Sequence, residues 1–189
     1  MRKLVYYIGV SLDGYIAGPG GEWDFYPVGD DLSAYMNAEF PEVVPAHIRK
    51  AIGLEAEPVR YDTLIMGRGT YEPAMAAGIA SPYSPMRQYV VSSTLGAVDH
   101  PDVEVTVGDP AGLVRRLKQE EGKDIYLAGG GKLAASVLPE IDEMIVKLYP
   151  VVAGAGIPAF SGEFRPTMFA LTGTRTFDNG TLVLNYRRA

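Results

Sequence analysis

The chain has 189 residues, with 17 Lys and Arg against 23 Asp and Glu and a formal net charge of -6. That balance excludes broad electrostatic attraction to nucleic acid or anionic membranes, and it requires the site of any anionic ligand to be locally basic. The absence of Cys and the presence of only His47 and His100 exclude a disulfide framework and a Cys- or His-built metal centre, while the length suits one domain over 1–189 with a sizeable core.

The run KLVYYIGV (3–10) is expected as the first strand. Asp13 and Gly14 interrupt the apolar residues that follow, so the segment fits neither a signal peptide nor a membrane span, and a cytoplasmic protein is expected. AGPGGEWDFYPVG (17–29) is a Gly- and Pro-rich loop that either forms a site or covers the surface. Helical patterns begin at Asp30 (DDLSAYMNAEF) and Pro45 (PAHIRKAIG). DTLIMG (62–67) is expected as a strand, followed by a helix from Thr70, and RQYVVSS (87–93) and VEVTV (103–107) as two further strands.

DPAGLVRRLKQEEG carries the clearest helix signals. Asp109 is at the N-cap, Pro110 at the first helical position, Leu113, Val114 and Leu117 on one face, and Gly122 at the stop. A strand at DIYLAG (124–129), a helix at GKLAASVL stopped by Pro139, and a strand at DEMIVKLYPVV (142–152) come next. After the loop AGAGIPAFSGEFRP (153–166), two strands, MFALTGTRTF and TLVLNYRR, are joined by DNG, a hairpin signal because Asn-Gly supplies positive φ. Strands alternating with helices and closed by a hairpin imply an α/β fold with a mostly parallel sheet and an antiparallel C-terminal edge.

Three consecutive glycines, Gly129, Gly130 and Gly131, stand where a strand hands over to a helix, the place where open α/β sheets bind ligands on unpaired N–H groups. Gly129, Gly131 and Ala134 match a dinucleotide fingerprint, but no acid follows about 20 residues on. A nucleotide-hydrolase phosphate loop also fails, because Leu133 follows Lys132. DTLIMGRGTYE is a second strand, glycine, helix junction, with Arg68 placed to face a phosphate and Thr70 to cap the helix. YVVSST ends a third strand with Ser92, Ser93 and Thr94. Each junction alone has a plain structural explanation. Together they suit one elongated phosphate-bearing ligand.

VSLDGYIA, LIMGRGTYE, YVVSST and IYLAGGGKLAASVL, in this order and spacing, resemble the dihydrofolate-reductase-like family, which includes the reductase domain of the bifunctional riboflavin-biosynthesis deaminase/reductase. The resemblance is closest to stand-alone bacterial members. It implies a three-layer α/β/α fold with a mostly parallel twisted sheet, NADPH as cofactor, hydride transfer to a pterin-like or pyrimidine-like C=N substrate, and a homodimer. It places the nicotinamide against Ile8, Gly9, Ile16 and Ala17, and the pyrophosphate and adenosine phosphate at Gly67, Arg68, Gly69 and Thr70. It puts the ribose and its 2′-phosphate at Ser92 and Ser93, and a glycine turn with a cis Gly-Gly peptide at Gly129, Gly130, Gly131 and Lys132. The permanent charge of Arg68 favours NADPH over NADH.

Hydride addition to C=N leaves negative charge on nitrogen, so a proton donor is expected near the substrate. The resemblance sets Trp23 in the mobile loop and Asp31 as the acid, with Asp24 and Asp13 as weaker candidates, although the loop is a few residues longer than in reducers of dihydrofolate. Asp30 and Asp31 also stand where a helix N-terminus favours carboxylates without any catalysis, and Asp13 within LDG suits a turn. Ala134 replaces the aromatic residue that reducers of dihydrofolate carry beside the nicotinamide, and GRGTYEPAMAAG lacks the Asp-Pro of the riboflavin branch. Gly154 and Gly156 resemble the family's segment near the substrate or dimer contact. The rival reading is a non-catalytic nucleotide-binding or regulatory module that keeps the cofactor cleft.

Overall fold

Val5 and Tyr7 point to one face of the first strand and Leu4 and Tyr6 to the other, and all four are buried. The computed structural model describes residues 1–189. In chain order its elements are β1 (Leu4–Val10), β2 (Tyr15–Ala17), α1 (Asp30–Glu39), α2 (Ala46–Ile52), β3 (Tyr61–Gly67), α3 (Arg68–Ala76), β4 (Arg87–Val91), β5 (Val103–Thr106), α4 (Pro110–Lys118), β6 (Asp124–Gly129), α5 (Gly131–Ser136), β7 (Ile141–Leu148), β8 (Ile157–Pro158), β9 (Phe169–Thr176) and β10 (Leu182–Arg188).

Eight strands form one sheet in the order β5-β4-β3-β6-β1-β7-β10-β9. The pairs from β5 through to β7 are parallel, and β10 pairs antiparallel with both β7 and β9. Burial on both faces of β1, β3 and β6 is the pattern of parallel strands covered by helices on either side. Leu32 of α1, Phe40 and Tyr71 of α3 join the core on one face, while Leu113, Val114 and Leu117 of α4 and Leu133 and Ala134 of α5 join the core on the other. The result is the expected α/β/α layering with an antiparallel C-terminal hairpin.

Several boundaries differ from the sequence expectation. Helix α3 starts at Arg68, because Gly67 is already extended at its N-cap; Thr70 therefore lies inside the first turn and is not the cap. Asp109 occupies the N-cap of α4 but makes no capping bond, and its carboxylate pairs with Arg115 at 3.1 Å. Strand β7 ends at Leu148, just before Tyr149 and Pro150, where proline offers no N–H to the ladder. No helix is long and apolar enough to cross a membrane.

The ribbon of β2 and β8 was not expected, and it straps the two Gly-rich loops together. The Ala159 N–H donates to the Gly14 carbonyl at 3.0 Å, the Tyr6 hydroxyl donates to the Ala159 carbonyl at 2.9 Å, and the Ser161 N–H donates to the Gly131 carbonyl at 3.0 Å. A side chain at Gly156 would collide with the Ala17 carbonyl, so close backbone approach demands glycine there.

Candidate functional site

The carboxyl ends of β3 and β6 are neighbours, with Met66 opposite Gly129. A methyl group added at Gly67 would stand 3.7 Å from both the Gly129 carbonyl oxygen and the Gly130 nitrogen. One added at Gly130 would stand 3.8 Å from Ile16 Cδ1 and 4.0 Å from Thr70 Oγ1. Segments distant in the sequence thus meet at one point: β2, the start of α3 and the glycine turn. Gly129 has φ +100°, which only glycine adopts readily, and the Gly129–Gly130 peptide is cis as expected.

Two helices begin beside that point. The N-caps of α3 and α5 are Gly67 and Gly130, both extended, and neither helix has a side-chain cap. Their first N–H groups therefore lack side-chain partners and carry the positive end of the helix dipole, which suits phosphate oxygens. A side chain at Gly69 would meet no protein atom within 4 Å, so the space over the first turn of α3 is open.

Arg68 Nε donates to Glu72 at 2.7 Å and its NH1 to Thr94 Oγ1 at 2.6 Å, which ties the end of β3 to the turn after β4. Ser93 and Thr94 are exposed there. The Ser92 hydroxyl instead accepts the N–H of Leu95 at 3.0 Å and of Thr94 at 3.2 Å, so this buried residue shapes the turn. Of the three strand-end hydroxyls, Ser92, Ser93 and Thr94, it is Thr94 that reaches the guanidinium.

Gly131, Gly9, Ile8 and Ala17 each pack or pair against protein, and Lys132 lines a separate groove. Gly131 is buried beneath the Pro158 carbonyl, which a side chain there would overlap, so its α carbon faces the strap. Lys132 lies in a groove of about 670 Å³ between α5 and the 160–169 segment, with Phe160 and Arg165. A side chain at Gly9 would come 2.9 Å from the Tyr149 ring, so that ring fills the space. Ile8, on the opposite face of β1, packs against the α4–α5 core, so a ligand shared by Ile8 and Gly9 can meet only their backbone. Ala17 is held in the strap by pairing with Ile157.

On the substrate side, the Asp31 carboxylate accepts the N–H of Leu32 and the N–H of Asp178, each at 2.8 Å. That is a structural reason for an acid at this position without catalysis. Asp13 accepts the Ser11 hydroxyl at 2.6 Å and the N–H groups of Ala153 at 3.0 Å and Gly154 at 2.7 Å. These bonds, the Ser11 hydroxyl first, hold its carboxyl down at about 2. Asp24 is exposed, and Trp23, 67% exposed, points away from the core. Tyr149 stacks on Tyr26 at 4.5 Å, and burial pushes both phenols up to about 12. The sequence reading also missed Lys147, whose amine sits over the Tyr7 ring opposite Gly9.

The chain belongs to the RibD C-terminal domain family, whose model matches residues 2–183. It is 33% identical to the uncharacterised protein YwjB of Bacillus subtilis (strain 168) over 190 residues, covering 100% of this chain and 99% of that one. Its fold matches a Shewanella sp. PV-4 protein named for riboflavin biosynthesis at TM-score 0.73, with 24% identity over 100% of this chain and 99% of that one. It also matches an Enterococcus faecalis dihydrofolate reductase, solved with NADP(H), at TM-score 0.66, with 14% identity over 98% of this chain and 96% of that one. The fold resemblance expected from the four motifs is thereby borne out.

Proposed function

We propose that this member of the RibD C-terminal domain family is an NADPH-dependent reductase that delivers hydride to a small pterin-like, pyrimidine-like or related heteroaromatic C=N substrate. The observation that carries the reading is the meeting of Ile16, Thr70, Gly67 and the Gly129–Gly130 peptide beside two helix N-termini without side-chain caps. The residues fit the cofactor. N–H groups of α3 and α5 suit the pyrophosphate, the open space over Gly69 leaves room for it, and Arg68 with Ser93 and Thr94 suits the 2′-phosphate. Ile16 and the backbone of Gly9 flank the nicotinamide side and exclude water there. When bound, NADPH supplies the hydride.

A proton must reach the substrate nitrogen. The resemblance assigns it to Asp31 or to a water that Asp31 orients. Its two oxygens already accept main-chain N–H groups, and that favours the rival reading of a cofactor-binding module without catalysis. A titration of Trp and Tyr fluorescence with NADPH and NADH, followed by turnover of a panel of pterins, pyrimidine flavin precursors and quinazolines, separates the two. The reductase reading expects tighter binding of NADPH than of NADH and oxidation of NADPH with at least one panel member. Binding without turnover supports the module, and no binding at millimolar cofactor ends both. If turnover is found and Asp31→Asn leaves it unchanged, the acid is not Asp31.

A further inference from the structure

In the register of β1 and β7, Lys147 stands opposite Gly9, at the carboxyl end of the sheet and on the face covered by α1. Its Nζ lies 4.5 Å from the centroid of the Tyr7 ring, and its Cε lies 3.7 Å from where a side chain at Gly9 would begin. The amine makes no ion pair or hydrogen bond within the chain, and burial alone lowers its basicity, to about 8. The nearby Tyr7 hydroxyl is also buried and unpartnered. An ammonium has three donors and no acceptor, so leaving it unpaired in a half-buried site costs free energy unless a ligand takes up its protons.

We propose that Lys147 is the catalytic residue that protonates the nitrogen of the C=N bond as the substrate is reduced. The inference rests on the reductase reading above. In the step, the carbon of the C=N bond gains the hydride, its π pair moves to nitrogen, and a C–H and an N–H bond form. The N–H proton comes from Lys147 Nζ, two electrons pass from the reduced nicotinamide to the substrate, and solvent returns a proton to the neutral amine. The titratable groups packed around the Tyr7 ring beneath the amine are Tyr149 after β7, Tyr35 on α1, Tyr61 on β3 and Glu42, with Tyr26 stacked on Tyr149 and Arg175 of β9 over the Tyr35 ring. The phenols stay neutral at working pH, so the amine is the group among them poised to exchange a proton near neutrality.

The test uses the full chain. Reductive methylation with ¹³C-formaldehyde labels the lysines, and Lys147→Met identifies the resonance of position 147. That resonance is expected to titrate near 8, below the remaining lysines. A midpoint in the ordinary lysine range overturns the proposal. With a panel member that is reduced, native kcat is expected to fall above about pH 8 as the ammonium loses its proton. Lys147→Met is expected to lower kcat about 100-fold or more and to abolish that limb, while leaving NADPH affinity unchanged. Lys147→Arg keeps the charge but holds its protons, so it is expected to be as slow, and it serves if the Met variant does not fold. Native kcat and pH profile in either variant, with NADPH still bound, overturn the assignment of Lys147 alone. Failure of the native protein to bind NADPH or to reduce any panel member overturns the reductase reading, and this inference with it.

Discussion

Asp31 and Asp178 are joined by a hydrogen bond of 2.8 Å from the Asp178 N–H to the Asp31 carboxylate, which ties the first turn of α1 to the turn between β9 and β10. The Asn179 side-chain amide adds a second tie, donating to the Pro27 carbonyl at 2.7 Å. Bonds to a charged acceptor contribute about 1.5–3 kcal/mol, less where water competes. Asp31→Ala is therefore expected to lower the unfolding free energy by about 1–2 kcal/mol, read as a lower urea midpoint at unchanged m. NADPH affinity should not change, because neither tie touches the glycine turn. Native stability in this variant would refute the clamp.

Asp13 gives a pH dependence with a definite sign. Its folded value of about 2 lies below the ordinary 3.8, so its contribution is fully present above about 3.8 and is lost as the pH falls toward 2. The bonds at stake join the turn after β1 to Ala153 and Gly154. Amide exchange at those two residues, measured relative to the core, is expected to speed up between pH 4 and 2 in the native protein. In Asp13→Asn it should be fast at both. Protection that ignores pH in the native chain would show that the carboxylate does not hold the loop.

Most of the fold was legible because its signals are local. The run DIYLAG gave β6 with its observed ends, and DNG gave the hairpin turn. What escaped depends on contacts between distant segments. Strands β2 and β8 are too short to show a period, and the need for glycine at 131 and 156 exists only against Pro158 and Ala17. Ser92 looked like a ligand hydroxyl because a strand end is where such groups serve, yet the turn beside it takes both of its acceptor bonds. Lys147 carries no motif of its own within DEMIVKLYPVV, and only the strand register sets it against Gly9 and Tyr7.

Gly69 and Gly131 should respond to the same substitution in opposite ways. Nothing lies within 4 Å of a side chain at Gly69, and alanine is a better helix former than glycine, so Gly69→Ala is expected to leave stability unchanged or slightly higher. It should nevertheless weaken NADPH, because the added methyl group occupies the open space over α3. Gly131→Ala must displace Pro158 and is expected to cost about 1–3 kcal/mol. Calorimetric Tm values paired with NADPH titrations check both. Full NADPH affinity in Gly69→Ala would move the phosphate elsewhere.

The proposed preference for NADPH over NADH rests on Arg68. Its guanidinium is about half exposed and shared between Glu72 and Thr94, an arrangement that contributes at most about 0.5 kcal/mol to folding. The bond to Thr94 pre-orients the fork toward the exposed Ser93 and Thr94, where a 2′-phosphate would add two negative charges and several acceptors. Arg68→Ala is thus expected to leave the Tm almost unaltered, to weaken NADPH about tenfold, and to leave NADH nearly as it was, since one charge-assisted contact contributes about 1.5 kcal/mol or more. Raising the salt concentration should erode the native preference for NADPH, because the site is open to solvent, and should have little effect on the variant. Titrations with both cofactors at low and high salt provide the check. Equal losses for NADPH and NADH would assign Arg68 to the pyrophosphate, which both cofactors share, and leave Ser93 and Thr94 without a role in selectivity.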